Sequence, residues 1–147
     1  MNLYTIGFTK KSAERFFALL RDAGVRRLVD IRLNPHGQLS GFAKQEDLAW
    51  FLDQLIDAEY VHVPILAPTP EILTGYRADH KWDRYVTRFE ALMDERGVPS
   101  TLDKALFTDG GPSCLLCSEA TPEKCHRRLV GDRLVNAWPN ISLVHLV

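Results

Sequence analysis

The chain has 147 residues, and its 46% apolar content is enough to bury the core of one ordinary domain without disulfide or metal staples. The formal net charge of −1 excludes the strongly basic composition typical of proteins that bind nucleic acid non-specifically, although it allows a local basic patch. The N-terminus lacks a secretory pattern and no apolar run reaches membrane-spanning length, so a cytoplasmic protein without a membrane partner is expected. Three cysteines, an odd number without an export signal, predict reduced thiols that react or bind metal.

Apolar periodicity predicts that strands and helices alternate along the chain. The predicted strands are 3–6, 26–33, 60–66, 113–117 and 141–147. The predicted helices are one from Ser12 to Gly24, 45–58, 82–96 and 122–137. Turn-forming residues predict an irregular segment at 35–43, a long loop with a short helical turn at 67–81, and a short helix around 101–106. The pattern indicates a single α/β domain, with a mostly parallel sheet of about five strands and helices on both faces.

Ligands of open parallel sheets bind outside the carboxyl ends of the strands, which selects three groups of polar residues and the segment from Pro64 onward after the third strand. Gly7, Thr9 and Lys10 join the first strand to a helix start, where backbone N–H groups favour either an anion or ordinary helix capping. Asp30 and Arg32 leave the same face of the second strand, where they form an internal salt bridge or bind the anionic part of a substrate.

The third and strongest group follows the fourth strand in the segment LLCSEATPEKCHRRLV. Cys117 and Glu119 point the same way if the strand continues, and Cys125 and His126 fall near the start of the next helix, where the helix dipole stabilises a thiolate. Either Arg127 or Arg128, depending on the helix phase, adds positive charge to this site. Both arginines are assigned to substrate binding, together with the two groups of residues described above. The alternative is that the segment is structural, with buried thiols, a helix-capping glutamate and surface arginines.

Three mechanisms fit this group of residues. A cysteine acts as the nucleophile with His126 exchanging protons, or Glu119 does acid/base work on a bound substrate, or the cysteines and His126 hold a metal. The metal is the least favoured, because Cys114 and Cys117 face opposite sides of a strand and adjacent residues such as Cys125 and His126 rarely ligate one ion together. No cofactor is therefore expected, with a metal bound by Cys117, Cys125 and His126 as the alternative.

Four stretches together resemble the family known as domain of unknown function 488: TIGFTKKSAERF, LVDIRLNP, YVHVPIL and CSEATPEKCHRRLV. The resemblance covers nearly the whole chain and implies an α/β fold, but it brings no activity. The positions that match the family pattern are Gly7, Asp30, Arg32, Pro35, Cys117, Glu119, Cys125, His126 and Arg127. Many members have Leu-Gly-Gly after the third strand, whereas this chain has Leu-Ala-Pro-Thr-Pro at 66–70, which changes the expected shape of the pocket.

These observations predict a small enzyme that acts on a nucleotide, a nucleoside or a modified base in nucleic acid, by hydrolysis or group transfer. Cys117, Glu119, Cys125 and His126 are the expected catalytic residues, and Pro35 is grouped with the substrate-binding residues. Two alternatives are a non-catalytic binder of nucleotides or nucleic acid and a sulfurtransferase. The latter arises because LVDIR resembles the Asp-x-Arg strand of rhodanese-type enzymes, although no glycine follows Cys117 before Gly131.

Overall fold

The structure is a computed structural model that describes residues 1–36 and 38–147, apart from the side chains of residues 38–40. Its sheet has five strands, all parallel, in the spatial order β3-β2-β4-β1-β5. The strands are β1 (Asn2–Gly7), β2 (Arg27–Asp30), β3 (Glu59–His62), β4 (Ser113–Cys117) and β5 (Ser142–Leu146). The predicted α/β class and strand number are confirmed.

Helices connect the strands. The α-helices of the described residues are α1 (Ala13–Asp22), α2 (Gln45–Ile56), α3 (Pro70–Asp79), α4 (Trp82–Glu95), α5 (Ala105–Thr108) and α6 (His126–Ala137). Short 3-10 segments cover Gln38–Ala43 and Pro64–Leu66. Ser12 caps α1 as predicted, because its Oγ accepts a hydrogen bond from the Arg15 N–H at 3.1 Å. None of the helices in the described ranges is long and apolar enough to span a membrane.

Two apolar cores lie on the two faces of the sheet. On one face, α1 and α2 pack through residues such as Phe16 and Leu52 against Ile6 and Leu116. On the other face, α3, α4, α5 and α6 contribute to a second core around Phe89. The helices therefore cover both faces, as the alternating sequence pattern predicts for a parallel sheet.

Several element boundaries differ from the predictions. The stretch 67–81 is mostly the regular helix α3, because Thr69 caps it and Pro70 occupies its first turn, where a missing N–H does no harm. The predicted strand 26–33 ends at Asp30, and the helix predicted around 101–106 covers Ala105–Thr108. Helix α6 begins at His126 rather than at Pro122. Within 35–43, residues 38–43 form a 3-10 segment, whereas Gly37 lies outside the described residues.

The chain connections that follow the neighbouring strands β2 and β4 lead to opposite sides of the sheet. Strand β2 leads through α2 to β3 on one side, and its neighbour β4 leads through α6 to β5 on the other side. A crevice forms at the carboxyl ends of such a pair, since the two connecting helices leave on opposite faces. The crevice lies beside Asp30, Arg32 and Cys117, which end or follow these two strands.

Candidate active site

A cavity of about 460 Å³ opens where the connections after β2 and β4 diverge. The residues that follow β2 form one wall, α3 and the start of α4 form another, and the β4–α6 connection forms the floor. The lining comprises Arg32, Leu33, Asn34, Pro68, Pro70, Leu73, Thr74, Tyr76, Arg77, Trp82, Tyr85, Cys117, Ser118, Glu119, Lys124, Cys125 and His126. All four residues predicted to be catalytic are in this lining, so the fold brings them to one cavity.

Cys117 and His126 form a hydrogen-bonded pair at the floor of the cavity. The Cys117 Sγ lies 3.2 Å from the His126 Nδ1, and the His126 Nε2 lies 2.7 Å from the Ile31 carbonyl oxygen. A carbonyl oxygen only accepts hydrogen bonds, so Nε2 carries a hydrogen and Nδ1 of a neutral ring presents its lone pair to the sulfur. The ring orientation is thus set by the backbone that follows β2.

Cys125 completes a compact group of donor atoms with this pair. The Sγ atoms of Cys117 and Cys125 and a ring nitrogen of His126 all lie within 4.8 Å of one another, and all three side chains are buried. Cys125 is the N-cap residue of α6 and has extended backbone angles, φ −137° and ψ 139°. Although Cys125 and His126 are adjacent in sequence, their ligand atoms converge because the chain changes conformation between them.

The three thiols differ in acidity. Burial opposes ionisation of Cys117, but a hydrogen bond from the Cys125 thiol, the backbone N–H groups of Ser118 and Glu119, and the Arg127 guanidinium hold the pKa of Cys117 below its ordinary value. Burial and the adjacent Cys117 sulfur raise the pKa of Cys125 well above its ordinary value. Burial also raises the pKa of Cys114, which packs in the core on the α1 and α2 side. Cys117 is thus the thiol poised to ionise.

Arg127 supplies positive charge from beneath the floor of the cavity. Its guanidinium is fully buried, and it donates from Nε to the Thr5 hydroxyl at 3.2 Å and from Nη1 to the Glu119 carbonyl oxygen at 2.5 Å. Within the described residues no carboxylate pairs with it, and its Nη2 has no hydrogen-bond partner. Arg127 is absent from the cavity lining and acts on the Cys117 thiol through its charge.

Gly7 leaves space for the hydrogen bond between the Arg127 guanidinium and the Glu119 carbonyl, although Gly7 itself does not line the cavity. A Cβ at Gly7 would stand 1.6 Å from the Glu119 carbonyl oxygen and 2.3 Å from the Arg127 Nη1. Only glycine leaves room for the carbonyl and the guanidinium to meet beside β1. Gly7 therefore contacts the Glu119 carbonyl and the Arg127 guanidinium beneath the cavity floor, and it is not among the cavity-lining residues.

Asp30 and Arg32 form a buried ion pair. Arg32 donates from Nε to Asp30 Oδ1 at 2.9 Å and from Nη2 to Oδ2 at 2.7 Å, and the Tyr60 hydroxyl donates to Oδ2 at 2.5 Å. Asp30 is 0% exposed and Arg32 is 4% exposed. Burial, and then the hydrogen bond to Asp30, raises the pKa of Tyr60, which stays a neutral donor. Arg32 lines the cavity, whereas Asp30 supports it from behind.

The remaining predicted binding residues lie outside the cavity lining. The Thr9 N–H donates to the Ser118 carbonyl at 3.0 Å, which ties the β1–α1 turn to the β4–α6 connection, and Lys10 is exposed with φ 61°. Pro35 is buried and its carbonyl accepts from the Gln45 N–H at 3.0 Å. Arg128 is half-buried and its Nε has no partner among the described residues. The described contacts of Thr9 and Pro35 therefore hold loops in place.

Aromatic residues were underestimated by the sequence pattern. Trp82 and Tyr85 recur at the helical spacing typical of core residues, yet both also line the cavity. Tyr76 and Arg77 lie in the stretch 67–81 that was predicted as a loop, and they reach the cavity from α3 instead. Lys124 was not singled out at all, although its place in the motif between Glu119 and Cys125 was a usable signal.

The fold and the site define a single α/β domain of the open parallel-sheet class, with a Cys-x-Glu-x5-Cys-His-Arg motif at the carboxyl end of its fourth strand. A family model described as "Domain of unknown function DUF488" matches residues 12–134, most of the chain. The chain belongs to this family, which confirms the resemblance. Residues 1–11, including Gly7, Thr9 and Lys10, lie outside the matched range. Searches of curated proteins and of solved structures found no match.

Proposed function

We propose that this protein is an enzyme that acts on a nucleotide, a nucleoside or a modified base in nucleic acid, by hydrolysis or group transfer. The observation that carries the proposal is the buried group of Cys117, Cys125 and His126 at the floor of a cavity that also holds Glu119. Strained or buried polar groups converging on one cavity are typical of reactive sites, because they would otherwise destabilise the fold.

The walls of the cavity support this substrate class. Tyr76, Trp82 and Tyr85 form an aromatic group, with the Trp82 and Tyr85 rings stacked at 4.9 Å and the Tyr76 ring edge-on to both. Arg77 and Lys124 add positive charge to the same lining. A flat ring against aromatic side chains and an anionic group near the cations is the chemistry of a nucleotide. A volume of about 460 Å³ also falls within the usual range of small-molecule sites, roughly 300–1,000 Å³.

Glu119 is assigned the acid/base role. Glu119 is exposed and lines the cavity, and its backbone carbonyl is held by Arg127, so the residue is anchored beside the space for a substrate. Proton transfer by a positioned carboxylate accelerates reactions by about 10²–10⁴-fold. Cys117 and His126 supply the reactive centre beside it.

The experiment is a panel of nucleoside monophosphates, nucleosides and modified nucleosides, with separate measurements of binding and of product formation. Glu119→Gln is expected to keep binding and to lose turnover by about 10²-fold or more. Glu123→Gln is the matched control, since Glu123 is an exposed carboxylate on the same connection that does not line the cavity. Retained turnover in Glu119→Gln removes the residue from the mechanism, binding without turnover identifies a binding domain, and the absence of both contradicts the proposal.

A sulfurtransferase is the second candidate, and one observation favours it. The Cys117 sulfur lies at a strand end and interacts with the backbone N–H groups of Ser118 and Glu119, an arrangement that also stabilises a persulfide anion. Incubation with thiosulfate followed by intact-mass measurement tests it. A gain of one sulfur atom that Cys117→Ser abolishes supports sulfur transfer, and an unchanged mass counts against it.

A further inference from the structure

We propose that Cys117, Cys125 and His126 together bind one divalent cation of the zinc type, with a fourth coordination position open to the cavity. Metal binding itself is independent of the substrate, whereas its catalytic use rests on the proposed function. The group consists of two sulfurs and one imidazole nitrogen, the donor set that zinc prefers among biological ligands.

The spacing of the donor atoms is close to that of a tetrahedral site. Zinc lies about 2.3 Å from sulfur and roughly 2.0–2.1 Å from nitrogen, which puts its ligand atoms roughly 3.5–3.8 Å apart. The Cys117 Sγ to His126 Nδ1 distance is 3.2 Å, and no separation within the group exceeds 4.8 Å. The separations thus differ from those of a zinc site by about an ångström at most, a displacement that side-chain rotation can supply.

His126 is oriented as a metal-ligating histidine is. Metal-bound imidazoles usually donate their second ring N–H to a carbonyl or carboxylate, which fixes the tautomer and the ring plane. The His126 Nε2 lies 2.7 Å from the Ile31 carbonyl oxygen, and this leaves Nδ1 free to bind metal, 3.2 Å from the Cys117 Sγ. The Phe89 ring packs against the imidazole at a centroid distance of 5.5 Å and limits its rotation.

Charge balance also favours a cation. Two buried thiolates would repel each other and lose hydration, and a divalent ion neutralises both. Cys117, Cys125 and His126 are only 5%, 3% and 6% exposed, so water screens the group poorly.

The fourth position is open on the cavity side. In the described part of the chain the cluster contains three ligand residues, and catalytic zinc sites keep three protein ligands with a place for water or substrate. All three residues and Glu119 line the same cavity. A water bound there would give its proton to the Glu119 carboxylate, and the resulting hydroxide would be the nucleophile of a hydrolysis.

Cobalt is the probe, because Co²⁺ occupies zinc sites and reports its ligands by absorption. The reduced protein is treated with a chelator, freed of it, and titrated with Co²⁺. A thiolate-to-cobalt charge-transfer band that saturates at one equivalent and disappears on adding Zn²⁺ is expected. Cys117→Ser, Cys125→Ser and His126→Asn should each weaken Co²⁺ binding by more than the roughly 100-fold that loss of an outer partner causes. Cys114→Ala, which removes the remaining thiol, should retain the band.

Circular dichroism of each variant separates loss of a ligand from loss of the fold, and native mass spectrometry of the wild-type protein with Zn²⁺ gives the stoichiometry independently. The absence of any charge-transfer band in the folded wild-type protein overturns the metal site. A band that persists in all three ligand variants overturns it as well. Nucleotide turnover in a protein that binds no metal leaves the proposed function standing with Cys117 as its nucleophile. Metal binding without turnover of any panel member supports the site and counts against the function.

Discussion

The buried pair of Asp30 and Arg32 offers the sharpest test of how this site is supported. Asp30→Asn removes the negative charge and replaces one acceptor oxygen by an N–H donor. The carboxylate accepts from Arg32 Nε, Arg32 Nη2, the Arg32 backbone N–H and the Tyr60 hydroxyl, at distances of 2.5–3.0 Å. An amide cannot accept all four, so the substitution leaves a buried guanidinium without its counter-charge.

The magnitude follows from the burial of both partners. Because Asp30 is 0% exposed and Arg32 is 4% exposed, solvent cannot replace the lost charge. Removal of one partner from such a pair costs about 3–5 kcal/mol, which is a large part of the roughly 5–15 kcal/mol that holds a domain of this size folded. Tyr60→Phe leaves the ion pair intact and removes one hydrogen bond to a charged group, so a smaller loss of about 1.5–3 kcal/mol is expected.

Urea denaturation of the purified protein, followed by tryptophan fluorescence and circular dichroism, measures these free energies. Asp57→Asn is the matched control, because Asp57 pairs with Arg26 on the surface and asparagine tolerates its left-handed backbone. Combining Asp30→Asn with Arg32→Met should recover much of the loss, since no buried charge then remains. An Asp30→Asn variant that loses less than about 1 kcal/mol would refute this account of the pair.

Three further predictions concern the neighbourhood of Cys117. Gly7→Ala places a Cβ against the Glu119 carbonyl and should destabilise the protein at or above the upper end of the roughly 1–3 kcal/mol range for overpacking, so an unchanged melting temperature would contradict the predicted contact. In metal-free, reduced protein, Cys117 should be alkylated at lower pH than an ordinary thiol, because its pKa is lowered and the thiolate is the reactive form; peptide mass spectrometry gives the profile. Arg127→Met removes a charge that lowers this pKa, so the alkylation profile should move to higher pH, and a profile that stays in place would exclude the guanidinium as its cause.

Local patterns in the sequence are sufficient to predict most of the elements. The run SCLLC is a strand with the predicted bounds, and the periodicity of 82–96 gives α4 to within one residue. These elements can be predicted locally, because burial of one face gives apolar residues a period of two in a strand and about 3.6 in a helix. Helix α3 was missed because Pro70 and Gly75 were interpreted as loop residues, although Thr69 and Pro70 are together a helix start.

The sequence predicts which residues form the candidate site but not how all of them pair. The sequence alone placed Cys117, Glu119, Cys125 and His126 near the carboxyl end of a strand, because an open parallel sheet gathers its ligand-binding residues there. It left open whether Asp30 and Arg32 pair with each other or with a ligand. The structure shows the internal pair, buried beside Tyr60, and it also places Arg32 in the cavity lining, so a ligand role for Arg32 stays a prediction.

Only the tertiary structure decided how the reactive side chains meet. Adjacent residues on a regular helix diverge by about 100°, so the sequence argued against Cys125 and His126 binding one metal ion together. The extended backbone of Cys125 re-aims its sulfur, and the Ile31 carbonyl, which is 95 residues away in sequence, turns the His126 ring toward it. Sequence patterns record local periodicity, whereas such convergence depends on contacts between distant segments that form only when the sheet is assembled.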